Sequence, residues 1–211
     1  MKKVAIIGSG AWAQYVAEYI KGLTEYTFVG FIDKTIDINK NIIGTDNELE
    51  NLYKEHAFDC VYIGIGYAQP DLKEKIYKNC KNYDIPLASF VHPTALIHPT
   101  VSLGEGIFVG PYSIVDNNAR IGNCCIIRSM ALVGHDDVLD SFTYIGSHAV
   151  VAGNVIIKEK CFLGVNCTIR NKMMISEYTT IGCGSNVVKS IEEGHQIYAG
   201  NPAKVLPNKH S

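Results

Sequence analysis

One feature dominates the second half of this 211-residue chain: every sixth residue from position 91 to position 187 is Val, Ile or Leu. A period of six matches neither the 3.6-residue period of an α-helix nor the two-residue alternation of a strand. It predicts a chain that turns a corner every six residues, so that three short strands form a coil of about eighteen residues and the coils stack as a solenoid. The seventeen positions are Val91, Ile97, Leu103, Val109, Val115, Ile121, Ile127, Val133, Leu139, Ile145, Val151, Ile157, Leu163, Ile169, Ile175, Ile181 and Val187.

Two further columns keep the same register. The residue after the aliphatic position is often glycine, and the residue four after it is usually small or β-branched. Three of the seven cysteines, Cys125, Cys161 and Cys167, fall in this small-residue column, where we expect buried and unreactive thiols. The number of cysteines is odd and no pair has C-x-x-C spacing, which favours reduced thiols without a metal.

Composition and charge exclude several classes of protein. Apolar residues make up 47% of the chain and charged residues 19%, which excludes intrinsic disorder. A formal net charge of −2 provides no basic field for nucleic acid. No apolar run is long enough to span a bilayer, and the apolar segment near the start is too short for a signal peptide. We therefore expect a cytoplasmic protein that binds neither nucleic acid nor membrane.

The first 90 or so residues lack the period of six and alternate short apolar runs with amphipathic segments. We predict strands at 4–7, 28–32, 61–65 and 86–90, and helices at 11–21, 46–56 and 70–82. Asp46 is expected to cap the second helix and Pro70 to open the third. This alternation predicts a parallel sheet whose ligands bind beyond the carboxyl ends of the strands.

A glycine turn, Gly8-Ser9-Gly10, follows the first predicted strand. Together with Asp33 it matches a dinucleotide-binding fingerprint, although any strand–helix junction can use such a turn. The domain has half the length of a full dinucleotide-binding fold, so we favour one nucleotide or nucleotide sugar, with its phosphates near the amides of the helix start. The candidate substrate-binding residues are Ser9, Gly10, Ala11, Trp12, Asp33, Lys34 and Gly66.

The two halves together resemble a known family. The most specific stretches are SFVHPTA at 89–95, GHD at 134–136, AGNV at 152–155 and GNPAK at 200–204. The chain is similar to bacterial sugar acetyltransferases of the hexapeptide-repeat superfamily, typified by UDP-4-amino-sugar N-acetyltransferase and the sialic acid O-acetyltransferase family. The resemblance implies an α/β Rossmann-like domain at 1–88, with a parallel sheet that binds a nucleotide sugar. It also implies an all-β left-handed parallel β-helix of about six coils at 89–211, with a C-terminal cap.

The resemblance also implies an activity. The chain would transfer acetyl from the co-substrate acetyl-CoA, without a metal, to the amino group of a nucleotide-linked 4-amino-4,6-dideoxy sugar for bacterial surface glycans. It would act as a homotrimer with active sites between protomers. O-acetylation of a sialic-acid-like sugar is the alternative. Two alternatives come from other classes of protein. An NAD oxidoreductase would account for the glycine turn. A γ-carbonic-anhydrase-like metalloenzyme or a non-catalytic scaffold would account for the coil, although the coil histidines have unsuitable spacing for zinc.

His135 is the candidate general base. It holds the third place of its hexad, where a side chain points outward. In the family a histidine here takes a proton from the acceptor, and the next carboxylate, Asp136, raises its basicity; imidazole suits this role near neutral pH. Asp137 falls in the inner column, where an unpaired charge is costly. It either bonds to backbone or to His135, or it binds substrate.

The acetyl-CoA site is expected in the following coils. Gly153 comes eighteen residues after His135, hence directly above it, and its amide is suited to stabilise the oxyanion of the tetrahedral intermediate, unless the glycine serves only the corner. The resemblance places Val165 and Cys183 along the CoA arm and Lys204 near its phosphates. We expect one extended arm to follow these residues along successive coils.

Three positions depart from the family pattern. Trp12 replaces a histidine of the first glycine turn, where an indole can stack on a base or sugar. Tyr144, assigned to the acetyl-CoA site, replaces a second histidine near the acetyl group, and its phenol can still donate a hydrogen bond. His148 replaces a frequent glycine. The reaction class is therefore better defined than the substrate.

Overall fold

A computed structural model describes residues 1–34 and 41–207 of the chain. The chain forms two compact units, Met1–Ser89 and Phe90–Ser211. Among the described residues, no helix combines the length and the apolar character that crossing a bilayer requires.

Over its described residues, the first unit is a parallel sheet with three α-helices. The strands are β1 (Lys2–Ile7), β2 (Tyr26–Ile32), β3 (Ile42–Gly44) and β4 (Cys60–Ile63), and the helices are α1 (Ala11–Ile20), α2 (Leu49–Lys54) and α3 (Pro70–Asn82). The strand order is β3-β2-β1-β4. The predicted α/β class is therefore confirmed, and helix α3 has the predicted bounds.

Helix α1 packs closely on the sheet. Its buried face consists of Ala13, Val16, Ala17 and Ile20, at helical spacing. A Cβ at Gly64, just after β4, would lie 2.7 Å from the Cβ of Ala13, so only glycine lets the helix approach this closely. This packing fixes the start of α1 beside the carboxyl ends of the strands.

The first unit departs from the sequence prediction in three places. The segment predicted as one helix from Asp46 starts with a 3-10 turn (Asp46–Glu48), and Thr45 precedes it in a capping box, with its N–H donating to Glu48 Oε2 at 2.8 Å. Strand β3 was not predicted, because its three residues are too few to show an alternation of apolar and polar residues. The segment predicted as a strand at 86–90 forms only a bridge from Leu87 to Val61 in this sheet, and its last residue, Phe90, begins the first strand of the second unit.

The second unit is a stack of seventeen two-residue strands. Each strand ends at one of the aliphatic positions of the hexad pattern, so the repeat is confirmed over its whole length. The strands are β5 (Phe90–Val91), β6 (Leu96–Ile97), β7 (Ser102–Leu103), β8 (Phe108–Val109), β9 (Ile114–Val115), β10 (Arg120–Ile121), β11 (Ile126–Ile127), β12 (Leu132–Val133), β13 (Val138–Leu139), β14 (Tyr144–Ile145), β15 (Val150–Val151), β16 (Ile156–Ile157), β17 (Phe162–Leu163), β18 (Thr168–Ile169), β19 (Met174–Ile175), β20 (Thr180–Ile181) and β21 (Asn186–Val187). An antiparallel hairpin of β22 (Ile197–Gly200) and β23 (Ala203–Val205) follows.

These strands form the three faces of a triangular coil. The first face contains β5, β8, β11, β14, β17 and β20, the second β6, β9, β12, β15, β18 and β21, and the third β7, β10, β13, β16 and β19. Parallel pairing joins residues one coil apart, as between Ile127 and Ile145. The β22–β23 hairpin extends the first face.

The inward-pointing aliphatic residues form the core of the second unit. From Val109 to Val187 every one of them is buried, and the small-residue column fills the corners between them. Burial of each such side chain contributes about 1.5–3 kcal/mol to the stability of the folded state. Val91 and Leu103, in the first coil, are 37% exposed. The stack thus supplies a continuous core that holds each turn in register with the turn eighteen residues away.

Candidate active site

His135 and Asp136 lie in the turn between β12 and β13, which leads from the second face to the third. We call the column of turns at this corner the histidine edge; it also holds Asn118, Gly153 and Asn154. From Gly106 to Gly184, the residue three past each aliphatic position has a left-handed φ, which is 60° at Asp136. The side chain of His135 is 51% exposed and points out of the coil, as its place in the hexad predicts.

Hydrogen bonds orient the imidazole of His135. Its Nδ1 lies 2.8 Å from Asp136 Oδ2, and Asn118 Nδ2, one coil below, donates to Asp136 Oδ1 at 3.1 Å. Because an ionised carboxylate only accepts, the imidazole must donate its Nδ1–H. This leaves Nε2 as the atom that can accept a proton from a substrate.

The same bonds set the electrostatics of the pair. The hydrogen bond that His135 donates to Asp136 raises the pKa of His135, and the charges of Asp136, Asp116 and Asp137 act in the same direction. In return, the hydrogen bonds of His135 and Asn118 lower the pKa of Asp136. The imidazole is therefore a stronger base than a free histidine, and the carboxylate that orients it stays ionised.

Gly153 lies against the ring of His135, in the coil above. A Cβ at Gly153 would be 2.5 Å from His135 Cδ2, closer than any real contact allows. The φ of Gly153 is not left-handed, so the glycine is needed for space rather than for the corner. The structure thus has the stacking that the eighteen-residue spacing predicts, with the imidazole filling the space in front of the glycine.

Asp137 is fully buried beneath the same corner. Its Oδ2 accepts the N–H of Gly134 and its Oδ1 accepts the N–H of Val155, both at 2.8 Å. Burial raises the pKa of Asp137 to about 7, although both N–H groups lower it. Of the alternatives open from the sequence, the structure therefore shows the bond to backbone.

The residues predicted to bind acetyl-CoA lie at two different corners. Gly153 is on the histidine edge, whereas Val165 follows β17 and Cys183 follows β20, in turns that lead from the first face to the second. We call this second corner the valine edge. Within one protomer, the three residues therefore lie on successive coils but not along one edge of the stack, and the predicted acetyl-CoA arm stays a prediction. Stacked residues are eighteen apart, as Val165 and Cys183 are, but Gly153 and Val165 are only twelve apart.

Two further residues assigned to acetyl-CoA belong to the first-face sheet. Tyr144 opens β14 and stacks on Phe162, with the ring centroids 5.2 Å apart. Lys204 is exposed and lies in β23, opposite Ala199 of β22. Within one protomer, neither residue lies on the histidine edge.

The glycine turn after β1 leads directly into helix α1. Gly10 is the N-cap and Ala11 the first helical residue, and no acidic side chain lies in the first turn. Ser9 is buried, and its carbonyl oxygen accepts a hydrogen bond from Gln14 Nε2 at 3.0 Å. Because Gly10 and Ala11 are exposed, the helix start is open to an anionic group.

Trp12 and Gly66 lie beside each other at this helix start. A Cβ at Gly66 would be 3.7 Å from the Cβ of Trp12. The indole also stacks on Tyr15, with centroids 5.3 Å apart and an angle of 17° between the rings. The turns after β1 and β4 therefore form one surface at the carboxyl end of the sheet.

Asp33 and Lys34 follow β2 at the same end of the sheet. Asp33 Oδ1 accepts the N–H of Lys34 at 2.7 Å. A cavity of about 620 Å³ opens beside Lys34, and its lining includes Thr45, Asp46 and Lys75. Burial and the charge of Asp33 raise the pKa of Asp46. This cavity was not predicted from the sequence. Of the residues predicted to bind substrate, Lys34 lines it.

Asn118 and Asn154 also belong to this site and were not predicted from the sequence. They occupy the place of Asp136 one coil before and one coil after it, and Asn154 Nδ2 is 3.5 Å from His135 Nδ1. Steps of eighteen residues from Asp136 along the hexad register find both. The site on the histidine edge is therefore a ladder of polar side chains rather than a single pair.

Thiols and metal ligands contribute little to this site. Cys125, Cys161 and Cys167 are buried free thiols, as their column predicts, and burial raises the pKa of Cys161 and Cys167 to about 12. Over residues 1–34 and 41–207, no group of three or more His, Cys, Asp or Glu side chains is arranged to hold a metal ion.

Two family models match the chain. The model described as the GMPPB C-terminal domain matches residues 86–197, and the model described as the PglD N-terminal domain matches residues 3–80. The first covers more than half of the chain and coincides with the coil, and the second coincides with the α/β unit.

Solved structures match nearly the whole chain. One is a perosamine N-acetyltransferase from Caulobacter crescentus, in complex with CoA and GDP-perosamine, in a variant with one histidine replaced by asparagine. It is 27% identical, with a TM-score of 0.90, over 99% of this chain and 98% of that chain. The acetyltransferase domain of PglB from Neisseria gonorrhoeae FA1090 is 30% identical, with a TM-score of 0.88, over 98% of this chain and 100% of that one.

Among curated proteins, the acyl-[acyl-carrier-protein]–UDP-N-acetylglucosamine O-acyltransferase of Brucella ovis is 51% identical over 41 residues. The match spans 19% of this chain and 15% of that protein. The hexad coil, which follows the α/β unit in the chain, defines the class, a hexapeptide-repeat acyltransferase. Within that class, the chain belongs to the left-handed β-helix acetyltransferases with a PglD-type N-terminal domain, the family of the PglB acetyltransferase domain.

Proposed function

We propose that this chain is an acetyl-CoA-dependent N-acetyltransferase that acts on a nucleotide-linked amino sugar of the 4-amino-4,6-dideoxy type. The observation that carries the proposal is the match, over 99% of the chain, to an N-acetyltransferase in complex with CoA and GDP-perosamine. The PglB acetyltransferase domain, which is 29% identical in its complex with acetyl coenzyme A, supports the same donor.

In this proposal His135 is the general base. The amino nitrogen of the sugar attacks the carbonyl carbon of the thioester, and its proton passes to Nε2 of His135 as the N–C bond forms. The amide N–H of Gly153 is the candidate donor to the resulting oxyanion. The oxyanion then collapses, the C–S bond breaks, and the imidazolium returns the proton to the sulfur of CoA. Asp136 orients the ring and stabilises the imidazolium.

We propose that a second protomer completes the acetyl-CoA site, since the valine edge and the histidine edge are separate corners of one coil. The second face lies between these two edges. In its first four strands the outward residues are Leu96, Ile114, Leu132 and Val150, all apolar, and Leu96 is 64% exposed. This face therefore offers an apolar surface between the two halves of the site.

We propose a homotrimer in which the second face of each protomer points toward the threefold axis. The histidine edge of one protomer then adjoins the valine edge of the next, so that His135 and Gly153 meet Val165 and Cys183 across the interface. Burial of the apolar outward residues stabilises this arrangement. Tyr144 and Lys204, on the first-face sheet, come from the same protomer as the valine edge.

We assign the nucleotide of the acceptor to the α/β domain at 1–88. The exposed start of α1 at Gly10 and Ala11 suits the phosphates, and Trp12 and Gly66 lie beside it. Asp33 and Lys34 extend this surface toward the cavity after β2. We place the enzyme in the cytoplasm, where acetyl-CoA and nucleotide sugars are both made.

The test is an acetyl-transfer assay with UDP-, dTDP-, GDP- and CMP-linked amino sugars, read out by release of the CoA thiol and by the mass of the product. We expect N-acetylation with one nucleotide class. Acetylation of hydroxyl groups of sialic-acid-like sugars alone would favour the O-acetyltransferase alternative. Binding of acetyl-CoA without transfer to any nucleotide-linked amino sugar would contradict the proposed acceptor.

A further inference from the structure

The buried carboxylate of Asp137 links two successive turns of the histidine edge. One oxygen accepts from Gly134, the residue before His135, and the other accepts from Val155, two residues after Gly153. In the neighbouring coils the places equivalent to Asp137 are taken by apolar residues, Ala119 and Val155. A carboxylate in this column is therefore an exception.

The bond to Val155 differs from the bonds of the preceding coils. There, the equivalent N–H groups of Val101 and Ala119 donate to the carbonyl oxygens three residues earlier, at 3.0 and 3.3 Å. In the coil above Asp137, the N–H of Val155 instead donates to the carboxylate, at 2.8 Å. The turn that contains Gly153 is thus fastened to the coil of His135 by a side chain.

The spacing between these two turns is critical for the ring. The imidazole of His135 lies so close to Gly153 that even a methyl group does not fit between them. A small movement of the Gly153 turn therefore changes the position of Nε2 and of the Gly153 amide together. Misplacement of reacting groups by about 1 Å can slow a reaction roughly 100-fold.

We propose that Asp137 is a positioning residue for acetyl transfer, which holds the Gly153 turn against the His135 turn through its two backbone hydrogen bonds. The inference rests on the proposed function of the site. A carboxylate suits this role because it offers two acceptor oxygens to two N–H donors. The coil fold alone does not require a carboxylate here, since the apolar residues Ala119 and Val155 hold the equivalent places in the neighbouring coils.

The test compares Asp137→Val with Thr143→Val. Thr143 is also a buried polar residue of the small-residue column, but it lies between β13 and β14, at another corner, where its hydroxyl donates to the carbonyl of Lys158 at 3.2 Å. For Asp137→Val we expect the plateau kcat to fall about tenfold or more, with an unchanged Kd for acetyl-CoA. The Tm should not rise, because the buried N–H of Val155 loses its acceptor. Thr143→Val is expected to keep its kcat.

The pH profile separates positioning from a charge effect. Asp137→Val removes one of the charges that raise the pKa of His135, so the inflection that reports His135 should move to lower pH in either case. If Asp137 positions the two turns, the plateau falls as well. A shifted inflection with an unchanged plateau would overturn the proposal, because Asp137 would then act on the protonation of His135. An unchanged plateau with an unchanged inflection would overturn it as well.

Amide hydrogen exchange tests, without an activity assay, whether Asp137 holds the Gly153 turn against the His135 turn. Asp137→Val should speed exchange at residues 152–155 and leave residues 116–119 unchanged; equal protection at 152–155 would overturn the proposal. A wild type that transfers no acetyl group would disprove the proposed function, while the exchange result would still decide the role of Asp137. If Asp137→Val does not fold, Asp137→Thr replaces it with the same measurements, since Thr143 and Thr179 show that this column accepts threonine.

Discussion

The imidazole of His135 and the carboxylate of Asp136 act together, because their hydrogen bond raises the pKa of the first and lowers that of the second. His135→Ala should lower kcat by roughly 10²–10⁴-fold and leave both KM values nearly unchanged. The pair is about half exposed, so its loss should hardly affect the Tm. His98→Ala is the matched control, since His98 is an exposed histidine of the same edge that bonds to Thr100.

The pH dependence follows from the same bond. A protonated imidazole cannot accept a proton, so kcat should fall as the pH drops through the pKa of His135, above the ordinary value for histidine. Asp136→Asn removes the interaction that raises this pKa, and its inflection should move to lower pH. Its plateau should fall less than that of His135→Ala, because the base remains. Half the wild-type kcat or more in a folded His135→Ala variant would exclude His135 as the base.

At the scale of the elements, the turn after β15 tests how tightly the coils pack. A methyl group in Gly153→Ala would collide with the His135 ring and force it away from Asp136, so kcat should fall nearly as far as in His135→Ala. In the His135→Ala background, Gly153→Ala should lower kcat little further, because the ring with which the methyl group collides is absent. Gly22→Ala, where a Cβ lies at an ordinary 3.6 Å from Tyr19, is the control. Full activity of Gly153→Ala would show that the ring and the glycine need no close contact.

The regularity of these elements explains what the sequence could predict. The hexad strands are predictable because each one buries an aliphatic side chain at a fixed interval, and Gly153 is predictable because stacking repeats every eighteen residues. The hydrogen-bond partners of Asp137 are backbone N–H groups, and the sequence does not indicate which of them a side chain will reach. Strand β3 is too short to show a pattern. The spacing of twelve residues between Gly153 and Val165 already implies different corners of the coil, but the sequence does not show which corners meet across an interface.

At the scale of the whole molecule, a site shared between protomers predicts complementation. His135→Ala disables the histidine edge, and Val165→Trp blocks the valine edge with bulk at a position that is 48% exposed. Each variant alone should be nearly inactive. When equal amounts of the two variants assemble at random into trimers, about one interface in four joins an intact histidine edge to an intact valine edge.

Co-expression of the two variants, followed by purification of the mixed trimers, should therefore restore about a quarter of the wild-type kcat per protomer. Light scattering should give three times 23.2 kDa for the wild type and for the mixture. As a control, separately purified trimers that are mixed without subunit exchange should show only the sum of their own activities. If co-expressed variants also give only that sum in intact trimers, each site must lie within one protomer, and the placement of the second face at the threefold axis would be wrong.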